Sequence, residues 1–147
     1  MSKLLSGVLV ILFAVTGAYP ANTKANEVTA GASGSVQLNQ ISYSPGSSVQ
    51  IDYSYAGLPL KTDDSLVLQT LCLGAWNGIV FDTSTEFFQS DKIVYSSSSG
   101  SGADVVTIPD SYQGSGSCTV SFYLLFAVNN TRYSKTLATS TFNVAVP

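Results

Sequence analysis

The stretch SCTVSFYLLFAV at residues 117–128 decides the fold class of this chain. Every second residue from Cys118 to Val128 is apolar, whereas the residues between them mix polar and apolar side chains. A period of two places alternate side chains on opposite faces of a strand. β-Branched and aromatic side chains also suit a half-buried, pleated surface. The stretch therefore predicts the central strand of an all-β domain, with one face in the core.

Turn residues and shorter alternating segments on both sides of this strand predict an all-β domain over residues 35–147. Asn77-Gly78 lies between two apolar runs and predicts a hairpin tip, because both central positions of a type I′ turn need a positive φ. About seven or eight strands separated by turns predict an antiparallel two-sheet, Ig-like β-sandwich without helices. The expected strands are 35–43, 48–55, 65–76, 92–96, 104–108 and 133–146, the last with a bulge between Leu137 and Phe142.

The N-terminus has the layout of a secretory signal peptide. Lys3 precedes an apolar run at residues 4–15, and Thr16 and Ala18 occupy the −3 and −1 positions of a cleavage site. We therefore predict a signal peptide at residues 1–18, a flexible segment at 19–34, and no stable membrane insertion after cleavage. An N-terminal membrane anchor and cleavage after Ala25 are the alternatives.

The charge and the cysteine content limit the possible partners and the possible cellular compartment. The net charge of the chain is −3, which opposes binding to nucleic acid because that needs a basic surface. Cys72 and Cys118 are the two cysteines, and in an oxidising compartment they predict one disulfide that joins the third strand to a late one. Two separate buried thiols are the alternative. We expect the protein to be secreted and to act outside the cell or at the cell wall.

Catalytic and metal-binding residues are not predicted. The chain has no histidine, which removes the commonest general base, and two cysteines alone do not make an ordinary zinc site. Asp63-Asp64, or Asp82 with Glu86, could offer oxygen ligands to Ca²⁺, but neither matches a known spacing. A carboxylate pair could also hydrolyse glycosides, although solvated surface carboxylates explain these residues better. The candidates for such a pair are Asp52, Asp63, Asp64, Asp82, Glu86 and Asp104. We therefore expect no enzyme activity and no cofactor.

Aromatic residues and a sequon point instead to glycans. Trp76 lies beside the predicted hairpin tip, and Tyr43 and Tyr112 lie near strand ends, so their rings could stack on sugars. Packing of each ring in the core is the alternative. Asn129-Asn130-Thr131 is an N-x-T sequon in a predicted hairpin loop, which predicts N-glycosylation of Asn129 in a eukaryotic host.

Three short motifs resemble a family of fungal wall proteins. The motifs are Tyr43-x-Pro45-Gly46-x-x-Val49, Val106-x-Ile108-Pro109 and Thr141-Phe142-Asn143-Val144. They are similar to the Ser/Thr-rich, often GPI-anchored proteins related to the yeast β-1,6-glucan synthesis proteins. The resemblance implies a secreted Ig-like sandwich that is not an enzyme. The sequence ends without a Ser/Thr-rich stalk or an apolar GPI tail, so we expect no covalent anchor.

Two functions follow as expectations. The first is a small secreted β-sandwich protein that acts at the cell wall or extracellular surface by glycan binding or wall association. The second is a secreted protein-interaction module, such as a host-directed effector or a subunit of an extracellular assembly. The sequence leaves the ligand and the oligomeric state open.

Overall fold

A computed structural model of the chain describes residues 19–61, 63–72, 75–76, 80–81, 87–112 and 116–145. The predicted signal peptide, the Asn77-Gly78 tip, Asp82 and Glu86 lie outside these residues. The elements of the described part are α1 (Tyr19–Val28), β1 (Ser33–Leu38), β2 (Ser42–Tyr43), β3 (Ser48–Ala56), β4 (Ser65–Cys72), β5 (Ala75–Trp76), β6 (Val80–Phe81), β7 (Phe87–Ile93), β8 (Gly100–Thr107), β9 (Gly116–Val128) and β10 (Thr131–Val144). In the same residues no helix is both long and apolar enough to cross a membrane.

The strands form two main sheets, which confirms the predicted two-sheet all-β fold. The three-stranded sheet has the order β1-β3-β8, and the five-stranded sheet has the order β2-β10-β9-β4-β7. Strand β9 is central, as its sequence predicts, and pairs antiparallel with both β4 and β10. One short pair departs from the antiparallel prediction, because β2 runs parallel to the end of β10. Strands β5 and β6 pair with each other, with Trp76 opposite Val80, so three residues rather than the two of the predicted turn separate the paired positions.

The core lies between the two sheets. The inward residues of β9, including Phe122 and Leu124, are fully buried, while their neighbours along the strand are half-buried. Ile51 and Val106 of the facing sheet are equally buried. The rings of Phe122 and Tyr53 meet across the sheets with centroids 5.3 Å apart. The alternation in residues 117–128 therefore corresponds to a core face, as predicted.

The β9–β10 hairpin turns through two asparagines. Val128 pairs with Thr131, and Asn129 and Asn130 have φ values of 51° and 65°. Positive φ at both central residues is the requirement of a type I′ turn, and asparagine tolerates it better than most side chains. Further along β10 the register shifts between Thr136 and Ala138. The bulge is therefore at Leu137, at the N-terminal limit of the range that the sequence predicts.

The N-terminal segment contains a helix that the sequence analysis did not predict. Its helix α1 has a weak amphipathic pattern, but Ala25 and Thr29 next to its C-terminus are buried in contact with the sandwich. Thr29 Oγ1 donates a hydrogen bond of 3.0 Å to the Ala25 carbonyl. Lys135 of β10 donates through Nζ to the Thr29 carbonyl, where a positive charge suits the end of a helix. Tertiary contacts rather than an apolar stripe stabilise this helix, so sequence periodicity could not reveal it.

Several strand boundaries also differ from the prediction. The strand expected over residues 35–43 is divided into β1 and β2, and the strand expected from residue 65 ends at Cys72, before β5. Strand β7 begins at Phe87, five residues before the predicted start, and Phe87 and Ile93 pack against the core. Strand β8 begins at Gly100, inside a Ser/Gly-rich run that predicts a loop. The reason is that the Tyr55 hydroxyl lies over Gly100 and the Tyr53 hydroxyl lies over Gly102, where a Cβ atom would collide with them. The glycines of this run make room for tyrosine rings on the paired strand.

Candidate functional site

Cys72 and Cys118 form the disulfide that the sequence predicts. Their Sγ atoms are 2.06 Å apart and their Cα atoms 4.2 Å apart, and both residues are fully buried. The alternative of two separate thiols is therefore wrong. The two cysteines face each other directly on β4 and β9, which are neighbours in one sheet. The bond thus reinforces a strand pair within the five-stranded sheet and does not link the two sheets.

Two of the three predicted sugar-stacking rings are core residues. Tyr43 is 5% exposed, and its ring packs edge-on against Phe142 with centroids 5.1 Å apart. Its hydroxyl donates to Asn39 Oδ1 and accepts from the Gln40 N–H. Tyr112 is also 5% exposed. Neither ring offers a free face to a sugar, so the alternative of core packing holds for both.

Trp76 is the third predicted ring. Its backbone pairs with Val80 in the small β5–β6 ladder. Its side chain lies outside the described residues, so stacking of Trp76 on a sugar stays a prediction.

An open pocket of about 550 Å³ lies where the β9–β10 turn meets the loop before β4. We call it the Asp64 pocket. It combines two carboxylates, one ammonium group, two amides and two apolar side chains, and its overall formal charge is −1. Its lining residues are Leu60, Lys61, Asp63, Asp64, Ala127, Asn129 and Asn130.

Asp64 is the most unusual residue of the pocket. It is only 8% exposed, and the backbone N–H of Ala127 donates to its carboxylate. Its Oδ2 atom is buried and has no hydrogen-bond partner among the described residues. Burial raises the pKa of Asp64, although the Lys61 ammonium and the Ala127 N–H oppose the shift. A buried acceptor without a partner is costly to the fold, which makes Asp64 unusual among the residues that line the pocket.

Short backbone turns place these groups. The Asp64 N–H donates to the Lys61 carbonyl at 3.2 Å, which folds the loop into a turn directly before β4. Tyr95 anchors the same loop by donating a 2.7 Å hydrogen bond to the Pro59 carbonyl. Burial, with the nearby Asp64 charge, raises the pKa of Tyr95 to about 12, so this hydroxyl keeps its proton at any physiological pH. The loop is therefore held in place beside the exposed Asn129 and Asn130.

A second carboxyl pair joins the edges of the two sheets. Asp91 on β7 and Asp104 on β8 lie close together. Gln89 donates to Asp91 and the Val105 N–H donates to Asp104, whereas Asp104 Oδ2 is buried without a hydrogen-bond partner among the described residues. Burial first, and then the contact with Asp91, raises the pKa of Asp104, since two ionised carboxylates in contact repel. The pair is therefore a close contact between two carboxyl groups on neighbouring edges of the two sheets.

The sequence analysis predicted roles for some of the pocket residues, but not as parts of one pocket. Asp63 and Asp64 were candidates for Ca²⁺, and Asn129 for glycosylation. In the described part of the chain no three or more His, Cys, Asp or Glu residues cluster as metal ligands would. No pattern in the sequence indicates that these loops meet, because residues 64 and 129 are far apart in the chain.

Comparisons with known proteins find one distant structural similarity that can be described. No family model matches the chain, and no curated protein matches it. Among solved structures, the chain is similar to Spo0M, a sporulation control protein from Bacillus subtilis, with 14% identity and a TM-score of 0.38. The match covers 79% of this chain and 49% of Spo0M, so the chain spans about half the length of that protein.

Proposed function

We propose that this chain is a small secreted, non-enzymatic β-sandwich protein that acts at the cell wall or extracellular surface by binding a neutral glycan in the Asp64 pocket. One observation carries the proposal: a buried carboxylate oxygen without a partner belongs to a residue that lines an open, polar pocket. The buried disulfide supports secretion, because such bonds persist in oxidising compartments.

The chemistry of the pocket favours a ligand rich in hydroxyl groups. Asp63 and Asp64 accept hydrogen bonds, Lys61 donates them, and the amides of Asn129 and Asn130 do both. A sugar hydroxyl both donates and accepts, so it can satisfy such a mixed set. Leu60, which is 63% exposed, adds an apolar surface for the C–H face of a sugar ring. The negative pocket on an acidic protein disfavours uronic acids and other anionic glycans.

Retention on insoluble wall polysaccharides, followed by titration with soluble neutral oligosaccharides, tests this function. We expect Asp64→Asn to weaken binding about tenfold, since it removes the charged acceptor, whose hydrogen bonds are worth about 1.5–3 kcal/mol. The raised pKa of Asp64 indicates that the fold tolerates a neutral group there. Asp110→Asn is the matched control, because Asp110 is an exposed carboxylate outside the pocket. Absence of retention on every polysaccharide would refute the proposal. Trp76→Ala in the same assay tests the aromatic candidate.

A secreted protein-interaction module is the second candidate, favoured by the edges of the sheets. Strands β7 and β8 each pair with one strand in the described part of the chain. Phe88 and Val105 on these strands, and Val94 directly after β7, are 52%, 55% and 83% exposed. Open edges with exposed apolar side chains can add a strand from a partner. Light scattering coupled to size-exclusion chromatography tests self-assembly, and a monomer at high concentration would disfavour that form.

A further inference from the structure

Asn129 belongs to two features at once. It is the acceptor of the N-x-T sequon, and it lines the Asp64 pocket. It is exposed at the tip of the β9–β10 hairpin, with Asn130 and Thr131 also exposed. Its positive φ belongs to a tight two-residue turn, so the side chain starts from a well-defined position.

We propose that Asn129 carries an N-linked glycan whose inner sugars occupy the Asp64 pocket, so that modification and binding of a free glycan exclude each other. The inference rests on the proposed function, because it assigns a regulator to the same pocket. Attachment forms a bond between Asn129 Nδ2 and the anomeric carbon of an oligosaccharide. The pyrophosphate of the lipid-linked donor leaves, and the displaced amide proton passes to the basic group of the host transferase.

Steric and entropic reasons support mutual exclusion. The first sugar would be joined to a residue of the pocket wall, so the glycan starts where a free ligand must lie. A short flexible tether also gives an effective concentration of about a millimolar or more, which a weakly binding free glycan must exceed. The modification also replaces one amide hydrogen of Asn129, which removes a donor from the pocket.

The pocket provides a partner for the attached sugars. Asp64 lines the pocket, so its carboxylate can accept a hydroxyl of the tethered glycan, and the exposed Leu60 can pack against its ring. A glycan held in this way would be protected from enzymes that trim free chains. Protection of the attached glycan from trimming should therefore depend on Asp64. The trimming rate can be measured without an added ligand, so it is a readout separate from the binding of free glycan.

The test compares two substitutions of Thr131 in full-length chain secreted from a glycosylating eukaryotic host. Thr131→Ala removes the sequon and Thr131→Ser keeps it, and neither changes a residue of the pocket wall. Intact mass should show a glycan on the wild type and on Thr131→Ser but not on Thr131→Ala. In titrations with neutral oligosaccharides, Thr131→Ala should bind about tenfold more tightly than the other two.

The second measurement follows the rate at which an endoglycosidase removes the glycan from folded protein. Asp64→Asn should speed removal several-fold over the wild type, whereas the control Asp110→Asn should not. A wild type without a glycan would overturn the inference, as would equal trimming rates. Equal affinities with and without the glycan would overturn it while leaving the proposed function intact. If Thr131→Ala binds no glycan and trimming is unaffected by Asp64→Asn, both proposals fail.

Discussion

Loss of the Cys72–Cys118 bond should lower the free energy of unfolding by about 4 kcal/mol. The bond closes a loop with a sequence separation of 46 residues. In the chain-entropy treatment, a loop of this length removes enough freedom from the unfolded chain to stabilise the fold by about 4 kcal/mol at 25 °C. The native strands lose little, because β4 and β9 stay paired along the rest of their ladder. For a domain of this size, the change corresponds to a fall in Tm of roughly 15 °C.

Urea unfolding of oxidised and reduced wild-type protein measures this effect without deleting any atom. Because the bond is fully buried, reduction should be carried out in denaturant, followed by refolding with reductant. The oxidised protein should also have a lower m value, since its cross-linked unfolded chain exposes less surface. Cys72→Ala, Cys118→Ala and the double variant should agree with one another within about 1 kcal/mol, because each one alone removes the same constraint.

Two results would refute this reasoning. If the free energies of unfolding of oxidised and reduced protein differ by less than about 1 kcal/mol, the bond does not stabilise the fold by restricting the unfolded chain. A double variant whose cost equals the sum of the single variants would mean that the cysteines act as independent packing residues. Titration of free thiols in the denatured, unreduced protein provides the check on the bond itself, and no reactive thiol is expected.

Three further experiments, with five substitutions, test individual features of the fold. The pKa of Asp104 is raised in the folded state, so the folded protein binds a proton there more tightly than the unfolded chain does. Asp104 therefore stabilises the fold at low pH, and this stabilisation is lost as pH rises through the raised pKa. Asp104→Asn should therefore flatten the decline of the urea midpoint between about pH 4 and pH 7 and raise the midpoint at pH 7. Gly57→Ala should destabilise by about 2 kcal/mol or more, because Gly57 has a φ of 67° and its Cβ would strike the Gly31 carbonyl. Gly31→Ala should cost less than about 1 kcal/mol in the same melts, because its Cβ would make only an ordinary contact with the Gly57 carbonyl. Tyr43→Phe should lower the free energy of unfolding by about 1 kcal/mol, because it breaks the hydrogen bonds of the Tyr43 hydroxyl. Tyr112→Phe should be neutral or stabilising, because the Tyr112 hydroxyl has no partner in the described structure. A larger loss for Tyr112→Phe than for Tyr43→Phe in denaturant melts would contradict this assignment.

The sequence was sufficient for features that depend on local pattern. The alternation in residues 117–128 predicts a strand with one buried face, and β9 has that face because burial on one side imposes a period of two. The two cysteines predict their bond because the chain offers no other partner. Leu137 and Phe142 are an odd number of residues apart, so a regular strand would place them on opposite faces, which predicts a bulge between them. The register shift at Leu137 confirms the bulge. In each case the information lies within one strand or one residue type.

Features that depend on contacts between distant segments could not be predicted in this way. Helix α1 is stable through burial of Thr29 and its bond with Lys135, which are 106 residues apart. Strand β8 extends into a Ser/Gly-rich run because tyrosines of β3 cover its glycines. The rings of Tyr43 and Tyr112 lie near strand ends, as an exposed binding residue would, yet the closure of the sandwich buries them.

The Asp64 pocket shows why candidate sites are the hardest part to predict. Its carboxylates come from the turn before β4 and its amides from the β9–β10 turn, and the two turns meet because β4 and β9 are neighbours in the sheet. The pairing of Ser65 with Leu125 fixes this meeting and follows from the same register that joins Cys72 to Cys118. A shift of one residue in that register would turn the side chains of β4 to the opposite face and separate the cysteines. The paired residues between Cys72 and Ser65 therefore hold the two loops of the pocket in register, and because this ladder stays paired without the bond, reduction should lower stability but leave glycan binding by the folded protein unchanged.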